Sequence, residues 1–377
     1  MADDHHDDDG VPAGDHRPSI KGLKPIGAAR RRGNTGAMMD SNAHVATLAP
    51  DLPTVRAALR RACRAPSVHN TQPWRWEFDG TTLSLSRDDD RRLAAADPTG
   101  RQLVISCGAV LHHLRTVLAA GGWRTDVERV PDPARPDLLA RLTFRRWADP
   151  PDAVVARAAA IEARRTDRLP LAAPAGFEEV ARSARMLASP HEIEVDVLDD
   201  RARPLLAEAS READAKRRYD MDYQAELHWW AGHSPDRDGI PRTALPSGAE
   251  AGHVPVARTF PPPMDSECRR DIDDQAKLVV LSSAGNSLTD WLRVGEALSA
   301  VLLECTRAGL ATCALTHITE LVGARATLEG LIACDGVSQV LLRVGAAPAD
   351  PAPAPPTPRR PVGEILTILP PMARDMD

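Results

Sequence analysis

The sequence predicts an α+β fold in which two similar halves follow one another along the chain. Short alternating or apolar segments typical of strands are interleaved with helical segments over most of the 377 residues. Two long apolar helical segments, residues 102–118 and residues around 291–305, occupy corresponding places in the two halves. We interpret this as a weak internal duplication, because no short-period repeat is present.

Composition narrows the classes of protein to which the chain can belong. It is 43% hydrophobic and 27% charged, as globular domains are, with a net charge of −6. A slightly acidic chain lacks the basic surface expected of a nucleic-acid-binding protein. No apolar run reaches the ~18 residues of a membrane span. The six cysteines include no C-x-x-C pair, so neither zinc nor a redox dithiol is expected, and we interpret the chain as reduced and cytoplasmic.

The first half is predicted to span residues 44–150, after a disordered tail at residues 1–43 that lacks apolar periodicity. A helix at residues 52–64 follows Asp51, a favoured N-cap, and Pro53 fits its first turn. After a proline-bounded turn, the remaining elements are strands at 74–78 and 81–86 around a hairpin, the helix at 102–118, and strands at 125–130 and 138–144.

The second half is predicted to span residues 151–377 with the same loose order. The predicted helices are 153–164, 177–187, 203–219 and the long core helix around 291–305, and the predicted strands are 192–198, 277–282, 312–316 and 337–344. Residues 229–263 are rich in Gly, Pro, His and Ser and predict a structureless lid or binding loop. Residues 348–361 are rich in proline and predict an extended arm.

A small set of polar side chains lies in the proline-bounded turn between residues 64 and 74. Ser67, Asn70 and Gln72 offer hydrogen-bond donors and acceptors on short stems, which suits a flat polar ligand. The alternative is ordinary turn chemistry, because Ser and Asn favour turns without any ligand. Gln72 could equally anchor the strand that follows.

An arginine motif follows the first helix of the second half. Arg164, Arg165 and Arg168 can form a guanidinium cluster for a phosphate, and Thr166 adds a hydroxyl. Taken alone, such a charge run is more often a solvated helix end.

Together, the turn and the arginine motif resemble the two motifs of the nitroreductase family, and most of all its two-halved Acg subgroup. The resemblance covers residues 52–366 and implies an α+β nitroreductase-like fold in which the halves form an intramolecular pseudo-dimer. It implies one flavin mononucleotide (FMN) site, with Pro66, Ser67, Asn70 and Gln72 from the first half and the arginine motif from the second. Each half lacks the motif that the other keeps, so the pseudo-symmetric site is expected to be degenerate.

The same resemblance assigns two further regions. Arg359 or Arg360 in the C-terminal arm would reach the phosphate, although a rigid basic linker is the alternative. Thr316 and His317 would lie near the flavin N5, where many family members have glycine, and their bulk would restrict hydride access. There is no G-x-G-x-x-G after a strand, no P-loop and no G-x-S-x-G, and no metal ligand set or catalytic side chain is predicted.

Three functional hypotheses are compatible with the sequence. The first is an FMN-dependent oxidoreductase that takes hydride from NAD(P)H and passes it to a small electron-poor acceptor. The second is an FMN-sequestering or storage protein with little turnover, in which residues 229–263 cover the flavin. A third is a cofactor-free structural pseudo-dimer. Neither nucleic acid nor membrane is an expected partner, and both a monomer and a homodimer are compatible with the sequence.

Overall fold

A capped helix precedes the strands of the first sheet in the sequence. The computed structural model describes residues 49–231, 238–261, 269, 271–348 and 356–370. Helix α1 (Leu52–Ala62) begins at Asp51, whose carboxylate accepts a hydrogen bond from the Thr54 N–H at 2.9 Å. The predicted cap is therefore confirmed. The predicted tail at residues 1–43 lies outside the described residues.

Residues 52–163 contain one sheet and the first long helix. Its elements are β1 (Trp74–Phe78), β2 (Leu83–Arg87), α2 (Arg101–Ala120), β3 (Trp123–Arg129), β4 (Leu138–Arg146) and α3 (Asp152–Ala163). The sheet has the order β3-β4-β2-β1, and all of these neighbours pair antiparallel.

The later part of the chain contains a second sheet. Its elements are α4 (Phe177–Ala188), β5 (Ile193–Val197), α5 (Ala202–Arg217), α6 (Met221–Trp230), α7 (Gly248–Gly252), β6 (Lys277–Ser283), α8 (Leu288–Arg307), β7 (Ala311–Leu315), α9 (His317–Glu320), α10 (Val322–Glu329), β8 (Val337–Gly345), α11 (Val362–Ile365) and β9 (Leu366–Ile368). The second sheet has the order β7-β8-β6-β5, again antiparallel throughout.

The two sheets share one topology. In each, a helix precedes the first two strands, a 20-residue helix follows them, and two more strands complete the same spatial order. The mixture of helices and separate antiparallel sheets confirms the predicted α+β class. The first sheet has one addition, because β9 pairs parallel to β1, with Trp76 opposite Leu366.

Helices α2 and α8 pack against each other at the centre of the molecule. A Cβ atom on Gly108 would lie 2.0 Å from the Leu292 carbonyl oxygen, and one on Gly295 would lie 2.0 Å from the Ile105 carbonyl oxygen. The contact is reciprocal, as in an interface between two identical subunits. Only glycine allows the two backbones to approach this closely.

Helix α2 is buried on nearly all sides, as the sequence predicted. Among the described helices, α2 alone is long and apolar enough to cross a membrane, although no such span was predicted. Of its most apolar 18-residue window, 78% is buried inside the protein. Apolarity on all faces therefore reflects its place between the first core and α8.

Two predictions of irregular structure were incomplete. Residues 229–263 were predicted to lack structure, but α6 extends to Trp230, and α7 starts with a capping box between Ser247 and Glu250. Residues 232–237 and residues 262–263 lie outside the described residues. The arm prediction missed α11 and β9, which follow it, and residues 349–355 are not described.

Candidate functional site

The turn after α1 is held in an unusual backbone conformation. His69, Asn70 and Gln72 have φ values of 45°, 57° and 50°, in the left-handed region that non-glycine residues rarely adopt. The Ser67 Oγ accepts a hydrogen bond from the Gln72 N–H at 3.0 Å. From α2, the Ser106 Oγ accepts one from the Val68 N–H at 3.1 Å. These bonds fix the turn against the N-terminal part of α2.

The turn also binds two distant segments. The Asn70 Nδ2 donates to the Gly239 carbonyl at 2.9 Å and to the Pro358 carbonyl at 3.2 Å. The Gln72 Oε1 accepts a hydrogen bond from the Arg360 N–H at 2.8 Å. Asn70 and Gln72 therefore tie the insert and the C-terminal arm to the turn.

The arginine motif follows α3 and lies beside the second sheet. The Asp167 N–H donates to the Thr312 carbonyl at 2.9 Å, which aligns the motif with β7. Arg164 is only 5% exposed, and its Nη2 donates to the Arg64 carbonyl at 3.2 Å. Its Nε has no hydrogen-bond partner among the described residues. A buried, incompletely paired guanidinium of this kind is suited to an anionic ligand.

A cationic cavity of about 460 Å³ lies between the turn, the arginine motif and the arm. No aspartate or glutamate is among the residues that line it, which are Arg64, Pro66, Ser67, Asn70, Arg164, Arg165, Thr166, Arg168, Ile240, Thr357 and Arg359. Burial, together with the neighbouring guanidiniums, lowers the pKa of Arg164 to about 10 and that of Arg359 to about 9. Repulsion among these side chains would be relieved by a bound phosphate.

A larger cleft of about 920 Å³ adjoins this cavity, and the two share Pro66, Ser67, Thr166 and Arg168. Its lining is mostly apolar and contains no carboxylate: Pro66, Ser67, Val68, His69, Gln102, Ile105, Ser106, Thr166, Arg168, Pro246, Ala257, Arg258, Phe260, Leu298, Cys313, Ala314, Leu315, Thr316, His317, Val340 and Arg343. Residues from both parts of the chain face each other across it. The combined space has a cationic end and a largely apolar end.

Thr316 and His317 lie on the wall of this cleft, at the end of β7. The Thr316 Oγ1 donates to the Gln102 Oε1 at 2.5 Å, which joins the wall to α2. His317 is 3% exposed, and its Nε2 lies 3.0 Å from the Ser210 Oγ. Burial, followed by the charge of Arg258, lowers the pKa of His317 to about 3, so its ring is uncharged near neutral pH.

The insert supplies another wall of the cleft, through Pro246, Ala257, Arg258 and Phe260. Arg258 forms a buried ion pair with Glu320 of α9 and a hydrogen bond to the Tyr223 hydroxyl. The guanidinium of Arg168 lies 5.4 Å from the centre of the Phe260 ring. These contacts hold residues 258–260 of the insert in the wall of the cleft.

The structure brings together ten of the twelve residues that the sequence singled out. Lining one or both spaces are Pro66, Ser67, Asn70, Arg164, Arg165, Thr166, Arg168, Thr316, His317 and Arg359. Gln72 and Arg360 lie outside both linings. The Arg360 side chain reaches Asp88 at 3.4 Å and the Gln72 carbonyl at 3.2 Å, so it fastens the arm to the first sheet.

Several lining residues were not predicted. Arg64 precedes the turn and could have been included from its position in the motif. His69 lies inside the turn, but its spacing gave no reason to separate it from ordinary turn residues. Arg258 and Phe260 come from the insert, whose path cannot be read from local patterns.

A second turn, after α4, occupies the corresponding place in the other half, and one of its residues lies beside a buried ion cluster. Glu296 of α8 is fully buried and accepts hydrogen bonds from Arg115 at 2.8 Å and Arg129 at 2.7 Å. The His191 Nδ1 of the second turn lies 3.8 Å from the same carboxylate. Side chains at the end of β3 and in the second turn thus meet on one glutamate.

Comparison with known proteins places the chain in a family. The "Putative NAD(P)H nitroreductase acg" of Mycobacterium tuberculosis strain H37Rv is 44% identical over 319 residues, which cover 83% of this chain and 95% of that protein. The chain belongs to the Acg family of nitroreductase-like proteins. The resemblance inferred from the turn and the arginine motif is therefore confirmed.

Three further comparisons gave the following results. A second M. tuberculosis protein, also named as a putative NAD(P)H nitroreductase, is 37% identical over 328 residues, covering 84% of this chain and 92% of that protein. No protein-family model matches the chain. Among solved structures, the FMN-dependent nitroreductase NfnB from Mycobacterium smegmatis in complex with NADPH has a TM-score of 0.32 at 18% identity, covering 52% of this Acg-family chain and 89% of that one.

Proposed function

We propose that this Acg-family protein is an FMN-dependent oxidoreductase that uses NAD(P)H. The observation that carries the proposal is the continuity between a cationic cavity without carboxylates and a largely apolar cleft. An FMN phosphate fits the first and an isoalloxazine ring fits the second. The unpartnered Nε of Arg164 and the mutual repulsion of the arginines support a phosphate at the cationic end.

Individual residues would divide the binding of FMN among them. Arg64, Arg164, Arg165 and Arg359 would neutralise the phosphate, while Ser67 and Thr166, which line both spaces, would contact the ribityl chain. Thr316 would hold its wall of the cleft in place through its bond to Gln102. Asn70 would act indirectly, because its amide holds the insert and the arm against the turn.

Bound flavin would accept hydride from a nicotinamide and reduce an electron-poor acceptor, while the protein binds, orients and shields it. No side-chain acid or base is required, and the lowered pKa of His317 fits that expectation. NAD(P)H is proposed because two Acg-family relatives are named as NAD(P)H nitroreductases.

We also propose that the two parts of the chain, residues 44–150 and 151–377, act as fused subunits with one FMN site between them. The identical strand order and the reciprocal contact of α2 with α8 support this pseudo-dimer. The Glu296 ion cluster supports degeneracy of the second site. We place the protein in the cytoplasm, since the described cysteines are all free. The fusion is compatible with a monomer or a homodimer.

The alternative function is FMN sequestration, and the position of the insert favours it. Phe260 and Arg258 line the cleft, and the ion pair with Glu320 anchors Arg258 there. If they cover the flavin face, a nicotinamide cannot approach within the ~3–3.5 Å that hydride transfer needs.

One experiment separates these proposals. The absorbance spectrum of the purified protein is recorded, and NADH and NADPH are then added without oxygen. Flavin bands that bleach within seconds support the reductase. Bands that persist with nicotinamide but bleach with dithionite support sequestration, and a colourless protein that does not take up added FMN contradicts both.

A further inference from the structure

His69 is a buried side chain in the cleft whose hydrogen-bonding capacity is unused. It is 7% exposed, and neither ring nitrogen has a hydrogen-bond partner among the described residues. Buried polar side chains nearly always have a partner in the protein, in bound water or in a ligand. Since His69 also lines the cleft, the unused nitrogens point to a molecule that enters it.

The backbone of His69 provides a second, independent observation. Its φ of 45° and ψ of 24° lie in the left-handed region, and the neighbouring bonds to Ser67 and Ser106 hold the turn in that state. Conformations of this kind persist where the surrounding structure enforces them, and they cluster at functional sites. The turn thus keeps the imidazole against the cleft.

The position of His69 separates it from the phosphate end. The residues shared between the cleft and the cationic cavity are Pro66, Ser67, Thr166 and Arg168, and His69 is not one of them. Its ring instead makes an edge contact with Phe260, with the ring centres 5.9 Å apart. His69 therefore lies in the part of the cleft that the phosphate does not need.

The electrostatic surroundings fix what the imidazole can offer. Burial, and then the charges of Arg258 and Arg168, hold the pKa of His69 well below its usual value. The ring is therefore uncharged near neutral pH, with one N–H donor and one acceptor nitrogen. The His317 Nδ1, on the opposite part of the chain, also lacks a partner among the described residues. No carboxylate lines the cleft, so a ligand rich in acceptor oxygens suits it.

We infer that His69 selects the electron acceptor, by donating a hydrogen bond from its ring to an oxygen of a flat aromatic molecule that lies against Phe260. This inference rests on the proposed function, because it assumes an acceptor in the cleft. His69 acts here in positioning and specificity, and it transfers no proton. An aromatic molecule of the same shape without an oxygen would lose the hydrogen bond and keep the packing.

The test compares nitrobenzene with toluene as probes of the oxidised protein, with no reductant present. Calorimetric titration measures both dissociation constants for the wild type, His69→Leu, His69→Gln and the control His253→Gln. The His253 side chain is partly exposed, and its Nδ1 lies 2.8 Å from the Asp273 carboxylate. His253 lines neither the cleft nor the cationic cavity. FMN content is measured by absorbance in every preparation, which tests the proposed function separately.

We expect His69→Leu to weaken nitrobenzene binding by about three- to tenfold, the range of one neutral hydrogen bond. Toluene binding should change by less than about twofold, and His69→Gln should restore most of the nitrobenzene affinity. Equal losses for both probes would reduce His69 to a packing residue. Unchanged nitrobenzene binding would mean that the imidazole binds only water. A loss of FMN from both His69 variants would mean that His69 contacts the cofactor. Each of these three results would overturn the inference.

Discussion

Replacing Arg164 with methionine should increase the stability of the FMN-free protein and lower its affinity for FMN. Arg164 is 5% exposed, and burial, followed by the charges of the neighbouring arginines, lowers its pKa from its usual value to about 10. At ~1.4 kcal/mol for each pKa unit, keeping this charge costs the folded protein roughly 3 kcal/mol. The variant also loses the hydrogen bond to the Arg64 carbonyl, worth ~1 kcal/mol. The net gain without ligand should be roughly 1–2 kcal/mol.

The pH dependence of this effect has a definite sign. Because folding lowers the pKa of this basic group, the unfolded chain binds more protons between the folded and unfolded pKa values, and stability rises with pH only above about 10. At pH 7 the cost is fully present and constant. The comparison of wild type with variant can therefore be made at neutral pH.

With FMN, the sign reverses. A charged hydrogen bond to phosphate is worth ~1.5–3 kcal/mol, so the variant should bind FMN roughly ten- to hundredfold more weakly. Thermal unfolding with and without FMN, and titration of FMN into the stripped protein, measure the two effects. Arg145→Met is the control, since Arg145 is exposed and paired with Asp126. A variant that is less stable without FMN, or that binds FMN as tightly as the wild type, would refute the reasoning.

Four further predictions follow from the same structure. FMN should saturate at one per chain in an absorbance titration, and two per chain would show that the Glu296 cluster does not close a second site. Gly108→Ala should destabilise the protein by ~1–3 kcal/mol or more in urea unfolding, because its Cβ would meet the Leu292 carbonyl, whereas Gly248→Ala, with open space around it, should be nearly neutral. Phe260→Ala should accelerate bleaching of the flavin by NADPH if the insert restricts access, and an unchanged rate would remove the insert from that role. Stability should fall as the pH drops from about 6.5 towards 3, because His317, like the buried His69, is held uncharged in the folded state, and His317→Asn should make this fall in the profile measured by thermal unfolding smaller.

The sequence predicted most elements of the fold because their signals are local. The strand predicted at 74–78 and the helix predicted at 177–187 follow from alternation and periodicity, and both agree with the structure to within one residue. β9 was missed because three residues have no pattern of their own, and they form a strand only by pairing with β1, about 290 positions earlier.

The site was predicted only as far as each motif is continuous in sequence. The turn and the arginine motif each form one short segment, so their residues could be named together. Arg258 and Phe260 could not be named, because the insert reaches the cleft through a tertiary ion pair to Glu320. Gln72 is the opposite case. It belongs to the sequence motif but lines neither the cleft nor the cationic cavity, and its side chain instead accepts a hydrogen bond from the C-terminal arm.

The pairing of β9 with β1 has a consequence for how the protein is made. Trp76 leaves the ribosome 290 residues before its partner Leu366, and Arg359 and Pro358, which contact the turn, appear only shortly before β9. At a synthesis rate of ~5–20 residues per second, the β1 edge of the first sheet stays unpaired for roughly 15–60 s. The cationic cavity is completed in the same interval, so the FMN proposed to bind there would find no complete cavity before this segment is synthesised. Supply of flavin during translation would therefore not guide early folding.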